Sequence, residues 1–247
     1  MPEKILIWDM HIPLTKYGLP QLVLLPALVF ALMVLLFLCP LGPGRLFGEI
    51  PLCLVFIWML SFFRDPERKI PADESVLYSP ADGTITDITE AADSDGRNSG
   101  LGERTLRIGM FLSLFSVHLN RVPCGVRIEG ITYKKGAFKN AMSAESGRVN
   151  ESNDVLMRRL TPPFDSLLVR QVSGAIARHI VCAVKPGDML KQGDRFGMIK
   201  FGSRTELYVP ANGAGGMDGG DARYEIAVKV GDKVHAGISP LVRYTHE

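Results

Sequence analysis

The sequence predicts a mostly β body of the α+β class behind an N-terminal pair of apolar helices. Three observations carry this. Short alternating runs bounded by turn residues recur through residues 64–247, the period of strands rather than helices. A glycine-rich pattern, K-x-G-D-x-(L/V)-x-x-G, occurs twice, as Lys185–Gly193 and Lys229–Gly237. Two apolar runs without charge, Gln21–Cys39 and Pro51–Phe63, stand before all of this.

The apolar runs come first. "QLVLLPALVFALMVLLFLC" (Gln21–Cys39) spans about 28 Å as a helix, close to the hydrocarbon thickness of a bilayer. Pro26 is tolerable within a membrane helix. "PLCLVFIWMLSFF" (Pro51–Phe63) is short for a span unless it extends into its flanks or returns part-way as a re-entrant hairpin. Neither run is polar on any face, which favours membrane helices, with a pair of buried core helices as the alternative. Lys4, Lys16, Arg64, Arg68 and Lys69 flank the pair, and the connecting loop holds only Arg45. That bias puts both ends in the cytoplasm of a cell (inner) membrane protein. The expected division is an anchor over 1–63 and a β-rich domain over 64–247.

The body follows. "SVLYSP", "TITDIT", "TLRIGMFL", "GVRIEGITYK", "LLVRQVSG", "IVCAVKPGD", "FGMIKFG", "RTELYVP" and "RYEIAVKVGD" read as strands. Glu90–Arg104 reads as a polar loop, and the one candidate helix is near Asn140–Val149. In the repeat, each copy is a strand ending in a Gly-Asp turn, an apolar anchor and a second glycine turn. The pattern resembles the biotinyl/lipoyl-like hybrid β-barrel.

Composition excludes several functions. A formal net charge of +2 over 247 residues gives no nucleic-acid field. Cys39, Cys53, Cys124 and Cys182 form no C-x-x-C pair and read as reduced thiols. His11, His118, His179, His235 and His246 show no H-E-x-x-H spacing, so no metal enzyme is expected.

The stretch "GMIKFGSRTELYVP" (Gly197–Pro210) sets Gly202-Ser203 between two strands, as a bulge, a turn or a site. "FRDPER" (Phe63–Arg68), "SPADG" (Ser79–Gly83), "FLSLFSVHLNRVP" (Phe111–Pro123), "RVNESN" (Arg148–Asn153) and "KPGDMLKQGDRFGMIKFGSR" (Lys185–Arg204) occur in this order. Together they resemble the phosphatidylserine decarboxylase proenzymes of the short form with F-G-S-R at the processing site, over residues 63 to about 240.

The resemblance implies a pyruvoyl enzyme. Self-cleavage between Gly202 and Ser203 would leave a β chain of 1–202 and an α chain of 203–247, paired as a heterodimer or in a higher oligomer. Ser203 would become the covalent pyruvoyl cofactor. A Schiff base with phosphatidylserine would then lose CO₂ and release phosphatidylethanolamine. The glycine suits a strained, open carbonyl, and the serine supplies both nucleophile and leaving group. Asp82 and His118 are the candidate catalytic partners of Ser203. Asp82 alone would be an ordinary Asp-Gly turn, and His118 a core histidine. Longer family members carry a second histidine where this chain has Arg121, so a complete serine-protease-like triad is not expected.

Arg204 reads as either a phosphate ligand or an exposed residue. Asn150 and Glu151 match the family without a derivable role. Lys134, Lys135, Arg158 and Arg159 read as a solvated face or a lipid-headgroup contact. Two rival functions are weaker. A biotinyl or lipoyl carrier needs a lysine at a hairpin tip, and no M-K-M or D-K-A tip occurs. A serine hydrolase needs a G-x-S-x-G elbow, which is missing.

Overall fold

The structure is a computed structural model that describes residues 6–7, 10–11, 14–40, 42–92, 101, 104–143, 145–174, 179–200, 202–211 and 223–245. It forms two compact units, Met1–Glu67 and Arg68–Glu247.

In the first unit, β1 (Leu6–Ile7) and β2 (Met10–His11) pair antiparallel. Helix α1 (Leu19–Leu38) has a proline in its first turn, where no N–H is needed, and a second, Pro26, inside. It stops at Cys39, whose extended backbone (φ −71°, ψ 135°) is what a residue preceding proline prefers. Helix α2 (Leu46–Phe62) begins upstream of the apolar run, with Glu49 in its first turn favouring the helix dipole. The two helices pack on each other. Both remain apolar outward: Leu24, Leu35, Phe47 and Leu54 are all exposed. Among the described residues, no helix is long and apolar enough to cross a membrane.

The second unit contains β3 (Val76–Tyr78), β4 (Gly83–Ala92), β5 (Arg104–Leu112), β6 (Leu119–Arg121) and β7 (Val126–Lys134). A single-turn helix, α3 (Ser146–Val149), follows. Then come β8 (Ser152–Arg159), β9 (Ser166–Val172), β10 (Ile180–Cys182), β11 (Met189–Leu190) and β12 (Arg195–Ile199). The chain ends with β13 (Ser203–Pro210), β14 (Arg223–Ile226), β15 (Lys233–Val234) and β16 (Pro240–Thr245). The helix expected near Asn140–Val149 shrinks to α3, because the Asn140 and Ser143 side chains accept from the Met142 and Glu145 N–H groups in turns instead.

The fold is mostly β with a few helices. An eight-stranded antiparallel sheet has the order β11-β7-β8-β9-β13-β5-β4-β15. Two three-stranded sheets, β10-β12-β6 and β14-β16-β3, complete it. The large sheet is open, so the expected closed barrel is not what forms: its edge strands β11 and β15 do not pair with each other.

Those edges are the two copies of the repeat. In each, the Asp carboxylate accepts from the backbone N–H of the lysine three residues before it, Asp188 from Lys185 and Asp232 from Lys229. Gly187 (φ +95°) and Gly231 (φ +96°) hold the left-handed position of that turn. Gly187 N–H donates to Ile128 O and Gly231 N–H to Ile85 O, at 2.8 and 2.9 Å. The core lies on one face of the large sheet and includes Ile108, Met110, Met157, Val169, Leu207 and Val209.

Candidate active site

Ser203 opens β13, the central strand that pairs with both β5 and β9. The preceding strand β12 belongs to a different sheet, so the chain changes sheets between Ile199 and Ser203. Gly202 makes that passage at φ +63°, a conformation costing other residues about 1–2 kcal/mol. The glycine and serine are therefore a crossover rather than a flaw in one strand. Phe201 lies outside the described residues.

Alternation along β13 sorts its side chains. Ser203 and Thr205 continue the series of Leu207 and Val209, which face the core. Ser203 is fully buried, and its Oγ has no hydrogen-bond partner among the described residues. An unpaired buried hydroxyl costs about 1–3 kcal/mol, which makes it a candidate for chemistry.

His118 is also fully buried, just before β6. Its Nε2 accepts the Gly202 backbone N–H at 3.3 Å, and its Nδ1 lies 2.9 Å from Ser116 O. A ring that accepts at Nε2 and faces a carbonyl at Nδ1 is the neutral tautomer with its proton on Nδ1. The Nε2 lone pair is engaged by the N–H of Gly202, the residue whose carbonyl forms the Gly202–Ser203 peptide. The structure brings Ser203, Gly202 and His118 together.

Asp82 is elsewhere. Thr84, Phe111 and Arg204 lie side by side in β4, β5 and β13. Asp82 thus reaches the same end of the sheet as Ser203 but two strand spacings away, about 10 Å. Its carboxylate is held by the Arg68 guanidinium in a fork (2.6 and 2.7 Å) and by the Ala236 N–H at 2.8 Å. His235 Nδ1 stands 3.5 Å away. Arg121, where longer relatives place histidine, is buried and donates to Gly193 O at 2.9 Å.

A buried amide chain missing from the sequence expectations links these parts. Asn120 donates to Thr205 Oγ1 at 3.0 Å and to Pro80 O at 3.4 Å. Gln171 donates to Asn120 Oδ1 at 2.9 Å, and Asn153 to Gln171 Oε1 at 3.0 Å. Amides within strands were the sequence signal for it.

Arg204 is neither exposed nor available to phosphate. It is fully buried on the opposite face, with Nε 2.7 Å from Glu206 Oε1, Nη1 2.7 Å from Thr86 Oγ1 and Nη2 on Asp87. Burial disfavours its charge, but the Glu206 and Asp87 carboxylates outweigh this and raise its pKa. Tyr208 OH donates to Glu206 and accepts from Arg170, which forks onto Asp154. The second face of the sheet is thus a buried ionic lattice.

The basic residues expected on one face divide. Arg159 is buried near Asp165, Arg158 pairs with Glu129, and Lys134 and Lys135 are exposed. Asn150 is fully buried and ties residue 139 to residue 173. Among the described residues, no group of His, Cys, Asp or Glu could hold a metal ion.

Comparison with known proteins decides the family. The sequence profile of the phosphatidylserine decarboxylase family matches residues 55–241. The chain belongs to this family. Phosphatidylserine decarboxylase proenzyme from Rhodopirellula baltica is 36% identical over 96% of this chain and 91% of the relative. The proenzyme from Carboxydothermus hydrogenoformans is 39% identical over 77% of this chain and 81% of its own. That from Syntrophus aciditrophicus is 39% identical, covering 73% and 76%. The chain is accordingly an enzyme, a decarboxylase.

Proposed function

We propose that the chain cuts itself between Gly202 and Ser203 and then decarboxylates phosphatidylserine to phosphatidylethanolamine. One observation carries this: a buried, unpartnered Ser203 Oγ adjoins a left-handed glycine whose N–H is held by a neutral histidine. Those residues fit the formation of a pyruvoyl group from Ser203.

The first step is an isomerisation. Ser203 Oγ bonds to the Gly202 carbonyl carbon and the Gly202–Ser203 C–N bond breaks. The Oγ proton passes through His118 Nε2 to the released amine. For this, His118 exchanges the Gly202 N–H for the Ser203 hydroxyl, a small shift within one site. Loss of the Ser203 Cα proton then expels the Gly202 carboxylate from Cβ. One water replaces the nitrogen, which leaves as ammonia.

A pyruvoyl group at position 203, once formed, supplies a ketone that engages the substrate amine and accepts the electron pair released with CO₂. His118 then stands where a proton is needed to replace the lost carboxyl group. Asp82 acts at a distance: its ion pair with Arg68 fixes the Ser79–Gly83 turn, and Pro80 O anchors both Asn120 and the Arg121 N–H. The exposed apolar surface of α1 and α2 fits association with the membrane that holds the substrate.

The two chains would stay together after the cut. β13 is paired on both sides by β-chain strands, and β15 and β16 pair with β4 and β3. Purified protein should resolve into pieces of 1–202 and 203–247, and Ser203→Ala should stay whole and inactive. An intact, active chain bearing a free Ser203 would overturn the proposal.

A further inference from the structure

We propose that Gly174, clamped by Asn150, is a positioning residue that seats the scissile Gly202 carbonyl for attack; this rests on the self-cleavage reading above. The Gly202 carbonyl oxygen lies against the Gly174 Cα. A Cβ built on Gly174 would meet that oxygen at 1.8 Å and the Gly202 carbonyl carbon at 2.9 Å. Both are backbone atoms, so no rotamer change relieves the contact. The Gly174 φ is not in the left-handed region, so backbone conformation is not what demands a glycine here. The demand comes from the approach of the scissile peptide itself.

The seat is braced from behind. Asn150 Nδ2 donates to Ser173 O at 2.8 Å, fixing the carbonyl of the peptide that leads into Gly174. The same amide group donates to Lys139 O (2.8 Å), and its Oδ1 accepts the Lys139 N–H (2.9 Å). Ser173 is further held by Glu151 O, which accepts both its N–H (2.9 Å) and its Oγ–H (3.0 Å). This gives Asn150 and Glu151 a use that their sequence context did not reveal.

Gly202 is thus gripped on both sides. His118 takes its N–H, which belongs to the preceding peptide, and Gly174 limits its carbonyl oxygen, which belongs to the scissile one. With the oxygen fixed, the carbonyl carbon is presented to a serine hydroxyl that has no competing bond. A Cβ at position 174 turns the scissile peptide plane away and breaks the alignment. Misplacement of reacting atoms by about 1 Å costs on the order of a hundredfold in rate. After cleavage the Gly202 carboxylate is free to leave, so the seat serves processing and not turnover.

The test follows full-length Gly174→Ala and Asn150→Ala by intact mass and thermal melting, with and without hydroxylamine, which cuts the ester of the first step. Wild type should cleave, and hydroxylamine should speed cleavage. Gly174→Ala should melt cooperatively yet cleave about a hundredfold more slowly, with no acceleration by hydroxylamine because formation of the ester has become the slow step. Adding Ala141→Gly, which frees only the neighbouring Cβ contact at 3.4 Å, should not restore it. Asn150→Ala should process on the order of tenfold more slowly, while its cleaved fraction turns over at the wild-type rate. That variant decides the matter if Gly174→Ala does not fold. Wild-type cleavage by Gly174→Ala, rescue by Ala141→Gly, or unchanged processing in Asn150→Ala would overturn the seat. A wild-type chain that never cleaves would instead overturn the underlying reading.

Discussion

Replacing Arg204 by methionine separates a structural role from a substrate-binding one. The guanidinium is fully buried and bonded to Glu206, Thr86 and Asp87. Its loss leaves Glu206, itself fully buried, with Tyr208 OH at 2.7 Å and Arg170 Nη1 at 3.6 Å as remaining support. Breaking a buried pair from one side costs about 3–5 kcal/mol, because a charge is left without compensation. In a body of Arg68–Glu247 this lowers the melting temperature by roughly 6–20 °C. The assay is thermal melting of Arg204→Met, Glu206→Leu and the double variant, all in a Ser203→Ala background so that processing plays no part. The double variant should recover much of the loss, since the stranded carboxylate is gone. A melting temperature for Arg204→Met within 2 °C of its Ser203→Ala parent, with a raised KM when Arg204→Met is made in the chain that keeps Ser203, would refute the buried lattice and return Arg204 to phosphate binding.

Three further outcomes are expected. His118→Ala should slow processing by about a hundredfold or more, the usual worth of a positioned base, measured as the uncleaved fraction over time; normal processing and normal turnover would make His118 a packing residue. Asp82→Asn and Arg68→Met should each lower the melting temperature and slow processing together, whereas abolished processing at unchanged stability would make Asp82 a direct participant. Burial pushes the Cys124 thiol up from 9.0 to about 12. The unfolded thiol ionises near 9 and the folded one does not, so stability is full below that pH and falls as pH rises towards 12, by about 4 kcal/mol. Urea melts should show this alkaline loss shrinking in Cys124→Ala; identical slopes would contradict it.

The strands were legible because period-2 alternation and glycine turns are local signals. The repeat was legible for the same reason, and its Lys-Asp turns close alike in both copies. Gly202 and Ser203 stood out as an interruption, but the sequence could not show that they join two sheets. The lattice around Arg204 escaped because its partners Asp87, Asp154 and Arg170 come from three other strands. A charge in a strand reads as solvent-facing unless the opposite face is known to be covered. Gly174 escaped because nothing local requires a glycine there. Its constraint comes from Gly202, a residue distant in sequence. The apolar runs were plain in the sequence, and both fall within helices, α1 and α2.

The central claim is tested most directly by the intact mass of the freshly purified protein. The account predicts two species, 1–202 and 203–247, the smaller one lighter by one ammonia than a chain beginning with free serine and refractory to N-terminal sequencing. A single full-length mass from protein that decarboxylates phosphatidylserine would contradict it.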